Sequence, residues 1–175
     1  MPVSIRDANS SAQDRQWIQS AFREYLDELT AVSMNTGMFP VMGEFGDRQP
    51  DMLARWFSDD SSHPLIILKE DVPVGFALVS RPPLNQRQQL DFRMSEFYVI
   101  KSARRRGIGH DAASLIFSRF AGRWEVLEYQ RNQGAVAFWR SVVSEFSQGR
   151  YRESAVNGEV KQLFTSGKPA GSPRV

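Results

Sequence analysis

Apolar residues recur along this chain with two periods, and the switches between them mark its elements. Residues 10–33 carry Ile18, Phe22, Leu26 and Leu29 at three- and four-residue spacing, with Trp17, Ala21 and Tyr25 beside them, which predicts an amphipathic helix. A short strand is predicted before it, over residues 3–8. Residues 34–49, with Gly37, Pro40, Gly43 and Gly46, read as a loop. Pro50 suits a helix start, and Met52, Leu53, Trp56 and Phe57 supply an apolar stripe that ends at Asp59-Asp60-Ser61-Ser62. Strand patterns over residues 63–69 and 73–81 flank a tight turn and predict a hairpin.

After a polar loop at 82–89, a strand is predicted over 90–100. A helix from Gly107 carries Ala112, Leu115, Ile116 and Phe120 and is broken by Gly122. A strand over 124–129 and a helix over 133–146 follow. Residues 150–156 and 159–165 flank Asn157-Gly158, the strongest two-residue hairpin signal. Residues 166–175 are polar, contain two prolines, and are expected to form a flexible tail. The order β-α-α-β-β-β-α-β-α-β-β, without internal repeat or linker, predicts one mixed α/β (α+β) domain over 1–165.

Composition narrows the class. A chain of 175 residues with 41% hydrophobic content can bury a real core. No apolar run approaches the roughly 20 residues of a membrane span, and no apolar h-region follows Met1. There is no cysteine, hence no disulfide framework, thiolate metal site or cysteine nucleophile. The expectation is a cytoplasmic protein without membrane contact. The net charge of +2 is no argument for a polyanion partner. The densest basic cluster, Lys101 to Arg106, stands just before two glycines, which favours a local phosphate ligand over nucleic acid. His63 and His110 are far apart and join no acidic cluster, so no metal is expected.

The run Ser95-Glu96-Phe97-Tyr98-Val99-Ile100-Lys101-Ser102-Ala103-Arg104-Arg105-Arg106-Gly107-Ile108-Gly109-His110 is the most informative in the chain. It reads as an apolar strand, a basic glycine-containing turn and a helix start. Helix N-termini present free N–H groups and a partial positive charge, and glycine lets backbone approach a ligand, so such a turn can hold phosphate. A dinucleotide fingerprint would need Gly-x-Gly-x-x-Gly at the first strand of its fold. Here Ala112 takes the third position, and the motif lies past mid-chain.

The string Arg104-x-x-Gly107-x-Gly109, after a strand with an acidic residue near its middle, closely resembles the pyrophosphate motif of the GNAT superfamily of N-acetyltransferases, including bacterial members. The element order matches that fold from end to end: a mixed central sheet of about six to seven strands flanked by four helices. The resemblance implies acetyl-coenzyme A as co-substrate and an amine-bearing acceptor, with a homodimer left open. It implies that Arg104, Arg105, Arg106, Gly107, Ile108, Gly109 and His110 surround the pyrophosphate, with Arg105 or Arg106 near the 3′-phosphate. It also implies that the backbone of Phe97, Tyr98, Val99 and Ile100, on a strand that splays from its neighbour, holds the pantetheine amides and the oxyanion.

Transfer of an acetyl group to an amine requires a neutral amine and a held oxyanion. Glu96, a carboxylate mid-strand between Met94 and Phe97, is the candidate general base, expected by alternation to share a face with Met94 and Tyr98. The alternative is a structural ion pair with an arginine of a neighbouring strand. Asn132, Ala135 and Phe138-Trp139 resemble the second family motif, in which the asparagine touches pantetheine and a final tyrosine protonates the leaving thiolate. Trp139 replaces that tyrosine, and its indole N–H is no acid at neutral pH. A thiol of pKa near 8.5 leaves tolerably unaided. With no cysteine available to carry an acetyl group, a direct ternary mechanism is expected. The rival reading is a catalytically idle acetyl-coenzyme A sensor or partner protein. Tyr25, Asp27, Glu28, Glu44, Asp47 and Asp51 would give the acceptor pocket an acidic lining, or else form a charged helix surface.

Overall fold

The computed structural model describes residues 2–36 and 53–167. Its strands are β1 (Val3–Asp7), β2 (Ser62–Lys69), β3 (Val72–Ser80), β4 (Phe92–Val99), β5 (Gly122–Tyr129), β6 (Tyr151–Val156) and β7 (Glu159–Ser166). They form one seven-stranded sheet in the order β1-β2-β3-β4-β5-β7-β6. Neighbours are antiparallel except β4 and β5, which are parallel. The helices are α1 (Ala12–Thr36), α2 (residues 53–58), α3 (Ile108–Arg119) and α4 (Gln133–Phe146).

The apolar stripes sort these helices to the two faces. Ile18 and Phe22 of α1, with Leu53 and Trp56 of α2, bury against Phe76, Leu78 and Tyr98 of the sheet. On the other face, Ala113, Ile116 and Phe117 of α3 and Trp139, Val142 and Val143 of α4 close over Ala77, Val79, Met94, Trp124 and Val126. Both hairpin turns have the backbone their sequence predicts. Asn157 and Gly158 lie at φ 54 and 79°, and Glu70 and Asp71 at φ 52 and 64°, the left-handed pair of a two-residue turn.

The differences from the sequence reading are local. The first helix begins at Ala12, after a single 3-10 turn at Ala8–Ser10, and runs on through Thr36. The central strand is shorter than residues 90–100: Asp91 accepts bonds from Arg123, and Ile100 leads into a 3-10 turn at Lys101–Ala103. Ser166, expected in the tail, ends β7. Its hydroxyl is buried and bonds Trp124 Nε1 at 3.1 Å and Phe120 O at 3.0 Å. The expected flexible tail beyond it, and the glycine-rich loop between α1 and α2, fall largely outside the described residues.

Two irregularities of β4 shape the functional region. Leu78 pairs with Glu96 but Val79 pairs with Met94, so Ser95 is an extra residue, a β-bulge. The bulge undoes the alternation expected from sequence. Met94 packs with α3 and α4, whereas Glu96 and Tyr98 face α1. On its other edge β4 pairs with β5 only at Phe92, Arg93 and Met94. Past Met94 the parallel strands part, since a bulge adds local twist, and a slit opens through the sheet.

Candidate active site

The slit is one cleft with two limbs. The first, about 370 Å³, is lined from the α1 side by Phe22, Tyr25 and Leu29, from β4 by Glu96, and from β5 by Glu128 and Tyr129. The second, about 660 Å³, runs along Phe97, Tyr98 and Val99 to Arg104, Arg105, Gly107, Gly109 and His110. Tyr25, Phe97, Asn132, Ala135 and Trp139 border both limbs, so the limbs meet at the split. Among the described lining residues the first limb has three glutamates and no lysine, arginine or histidine. The second has a cationic end.

The cationic end is built by backbone. Gly107 stands at φ 77° as the residue before α3, a left-handed position that suits glycine, and a Cβ there would meet nothing within 4 Å. The first intrahelical bond of α3 is Asp111 N to Gly107 O, so the N–H groups of Gly107, Ile108, Gly109 and His110 have no partner inside the helix. Arg105 and Arg106 are exposed beside them. Ile108 packs into the core with Val99 and Ala112, which anchors the helix start. At Gly109 a Cβ would come within 3.2 Å of Phe138 Cε2, so glycine there lets α3 approach α4 at the rim of the second limb.

Two residues of the predicted phosphate set have other partners. Arg104 donates from Nε to Val99 O at 2.7 Å and from Nη2 to Glu28 of α1 at 2.8 Å, with its guanidinium over the Tyr98 ring. Its side chain ties the turn to α1 instead of standing free like Arg105 and Arg106. His110 Nε2 lies 2.9 Å from Glu145 of α4, off the line of a hydrogen bond. Asn132 caps α4, its Oδ1 accepting from Ala135 N at 3.2 Å, and borders both limbs of the cleft.

Glu96 stands at the junction. No arginine pairs with it among the described residues, contrary to the structural alternative. Instead the Tyr25 hydroxyl donates to Glu96 Oε2. Burial pushes the Glu96 carboxyl up to about 7, and the Tyr25 bond works against that rise. The Tyr25 phenol is held well above its ordinary value, first by burial, then by the Glu96 charge. Trp139 is buried against Phe97 and Phe138, a core role that fits its replacement of a tyrosine.

Some neighbours of Glu96 were not evident from sequence. Glu128 is 7% exposed, bonds Gln162 Nε2 at 2.6 Å, and is pushed up to about 7, chiefly by burial. Tyr129 and Glu159, paired across β5 and β7, rim the first limb. For Glu128 and Tyr129 the one signal was their place at a strand end just before Asn132; Glu159, at the start of β7, had none. Of the expected acidic lining, Tyr25 and Glu28 do border the cleft. Asp27 is exposed on α1, and Glu44, Asp47 and Asp51 lie outside the described residues. Also among the described residues, no group of three or more His, Asp or Glu is placed to hold a metal ion, and no helix is long and apolar enough to cross a membrane.

A mixed sheet split between two parallel central strands, with a glycine turn and helix start at its mouth, makes a through-going cleft able to hold a phosphate-bearing ligand at one end. The sequence pattern of the acetyltransferase (GNAT) family matches residues 18–142, and the chain belongs to that family and is an acyltransferase. Solved structures agree in fold. An acetyltransferase from Thermus thermophilus is similar with a TM-score of 0.66 at 17% identity, covering 94% of this chain and 97% of its own. The PaiA N-acetyltransferase of Thermoplasma acidophilum, in complex with coenzyme A, is similar at 0.62 and 11% identity over 94% and 99%. An aminoglycoside 6′-acetyltransferase type Ii is similar at 0.63 and 14% identity over 94% and 97%. No curated protein sequence matches the chain.

Proposed function

We propose that this protein moves the acetyl group of acetyl-coenzyme A to the primary amine of a cationic acceptor, by direct attack in a ternary complex, with Glu96 as general base. One observation carries the reading: Glu96 stands where an acidic limb and a cationic limb of the same slit meet. The second limb suits coenzyme A. The free N–H groups of Gly107, Ile108, Gly109 and His110, with Arg105 and Arg106, would hold its phosphates. The β4 ladder groups left without a β5 partner past Met94, from Phe97 toward Ile100, would hold the pantetheine amides and the acetyl carbonyl oxygen. The amide of Asn132 would reach the pantetheine arm. Arg104 serves by fixing the turn to α1.

The first limb suits the acceptor. Three carboxylates and aromatic walls favour an ammonium ion with an apolar body. An ammonium must lose a proton before its lone pair can attack. A carboxyl pushed to about 7 is a base matched to neutral pH, able to take that proton and pass it to solvent. The leaving thiolate departs without a tyrosine at position 139.

The test is Glu96→Gln, assayed by coenzyme A release over a panel of amines, peptides and aminoglycosides. The rate should fall by roughly 10² to 10⁴ at neutral pH. The loss should shrink at high pH, where the amine is already neutral. Thermal stabilisation by acetyl-coenzyme A should persist. A wild-type rate at neutral pH removes Glu96 from the chemistry, and acetyl-coenzyme A binding without turnover on any amine would mark a sensor.

A further inference from the structure

Resting on that reading of Glu96, we propose that Tyr25 is a positioning residue of the reaction: its hydroxyl donates to Glu96 Oε2, fixes the carboxylate at the junction of the two limbs and stabilises its anionic form. The donor cannot swing away easily. Its ring is wedged among Phe22, Phe76 and Tyr98, at centroid separations of 5.7, 5.6 and 5.3 Å. Glu28, three residues on along the same face of α1, accepts from Tyr98 at 2.9 Å and from Arg104. Thus α1 grips β4 twice, once at the base and once beside the phosphate turn.

The surroundings give this bond its weight. The limb that holds Glu96 is lined by Tyr25 from α1, Glu128 and Tyr129 from β5, and Glu159 from β7, while Tyr98 on β4 itself donates to Glu28 of α1 alongside. β3 presents Leu78, and α4 presents Ala135 and Trp139, none of which titrates. None of these groups is a cation. Burial therefore disfavours a charged Glu96, and among the described residues the side-chain donor that opposes it is Tyr25. Loss of that donor shifts the balance toward the protonated carboxyl, the form that cannot accept a proton from the ammonium ion.

The experiment titrates Glu96 directly in the full chain. Protein labelled with ¹³C at the glutamate carboxyls is followed by NMR against pH, with the Glu96 resonance identified by its absence in Glu96→Gln. Tyr25→Phe keeps the ring and deletes the donor. The Glu96 midpoint should rise by about one pH unit or more, as expected for loss of one hydrogen bond to a charged group. The acid limb of kcat/KM for 1,4-diaminobutane, used as a dicationic probe, should move upward by the same amount, while the high-pH plateau changes little. Site-specific replacement of Tyr25 by a fluorotyrosine, a stronger donor of the same shape, should move both downward and serves if the phenylalanine variant folds poorly. An unmoved Glu96 midpoint overturns the proposal. A midpoint that moves while the acid limb of kcat/KM stays fixed, or a limb that survives in Glu96→Gln, overturns instead the assignment of Glu96 as base.

Discussion

Gly75→Ala should loosen β4 along the second limb of the cleft, for a reason that lies entirely in the packing of β3 on β4. Gly75 pairs with Val99, and a Cβ built on it would lie 2.3 Å from Tyr98 O, 3.2 Å from Val99 Cα and 3.3 Å from Ile67 Cδ1. The nearest atom is backbone, so no rotamer relieves the clash. Reaching even 3.0 Å means parting the strands by about 0.7 Å at a point where Ile100 N still bonds Val74 O at 2.9 Å. Overpacking of this kind costs about 1–3 kcal/mol, and a broken ladder bond about 1 more. The lost freedom of the unfolded chain returns about 0.4–1 kcal/mol. The net is a loss of roughly 1–3 kcal/mol, or about 3–10 °C in Tm for a chain of 175 residues. Because Tyr98 and Val99 line the second limb, acetyl-coenzyme A should also bind more weakly. Gly107→Ala is the control. Its Cβ meets nothing within 4 Å, so it should lose only the roughly 1 kcal/mol of a left-handed residue at φ 77°. Thermal unfolding of both variants, with and without acetyl-coenzyme A, decides the matter. A Gly75→Ala protein within 1 °C of wild type would refute the packing argument.

Three further outcomes can be checked. Acetyl-coenzyme A at about 100 times its Kd should stabilise the wild type by roughly 2.7 kcal/mol, and Gly109→Val, which would press on Phe138 from 3.2 Å, should lower that affinity at least tenfold while circular dichroism stays native; unchanged affinity would place the phosphates elsewhere. Glu128 holds its proton up to about 7 in the folded chain against 4.5 otherwise, so the folded state binds the extra proton in that window and stability falls as pH rises through it. Glu128→Gln should therefore show a smaller decline in urea midpoint between pH 5 and pH 8 than wild type, and an identical decline would show that the group is not buried as described.

The elements and the glycine turn before α3 were legible in the sequence because their causes are local. Periodicity placed the long helices and the strands, Asn157-Gly158 fixed its hairpin through backbone permissiveness, and the run from Arg104 to Gly109 announced a helix start with free N–H groups. Glu96 stood out as a carboxylate in an apolar strand. What surrounds it did not. The bulge at Ser95 turns Met94 to the opposite face from Glu96, and no residue type at 95 signals it, because it arises from the register of β3 on β4. Tyr25 lies 71 positions before its partner Glu96, and Glu28 lies 76 before Arg104, so only the packing of α1 on the sheet could turn an ordinary helix face into a clamp on Glu96 and the turn. The same holds for the acidic limb. Glu128 and Glu159 reach the cleft because β5 leaves β4 past Met94 and pairs with β7, a parting of strands that depends on the twist of the whole sheet. Local chemistry thus determined which residues were capable of function, while long-range pairing decided which of them meet.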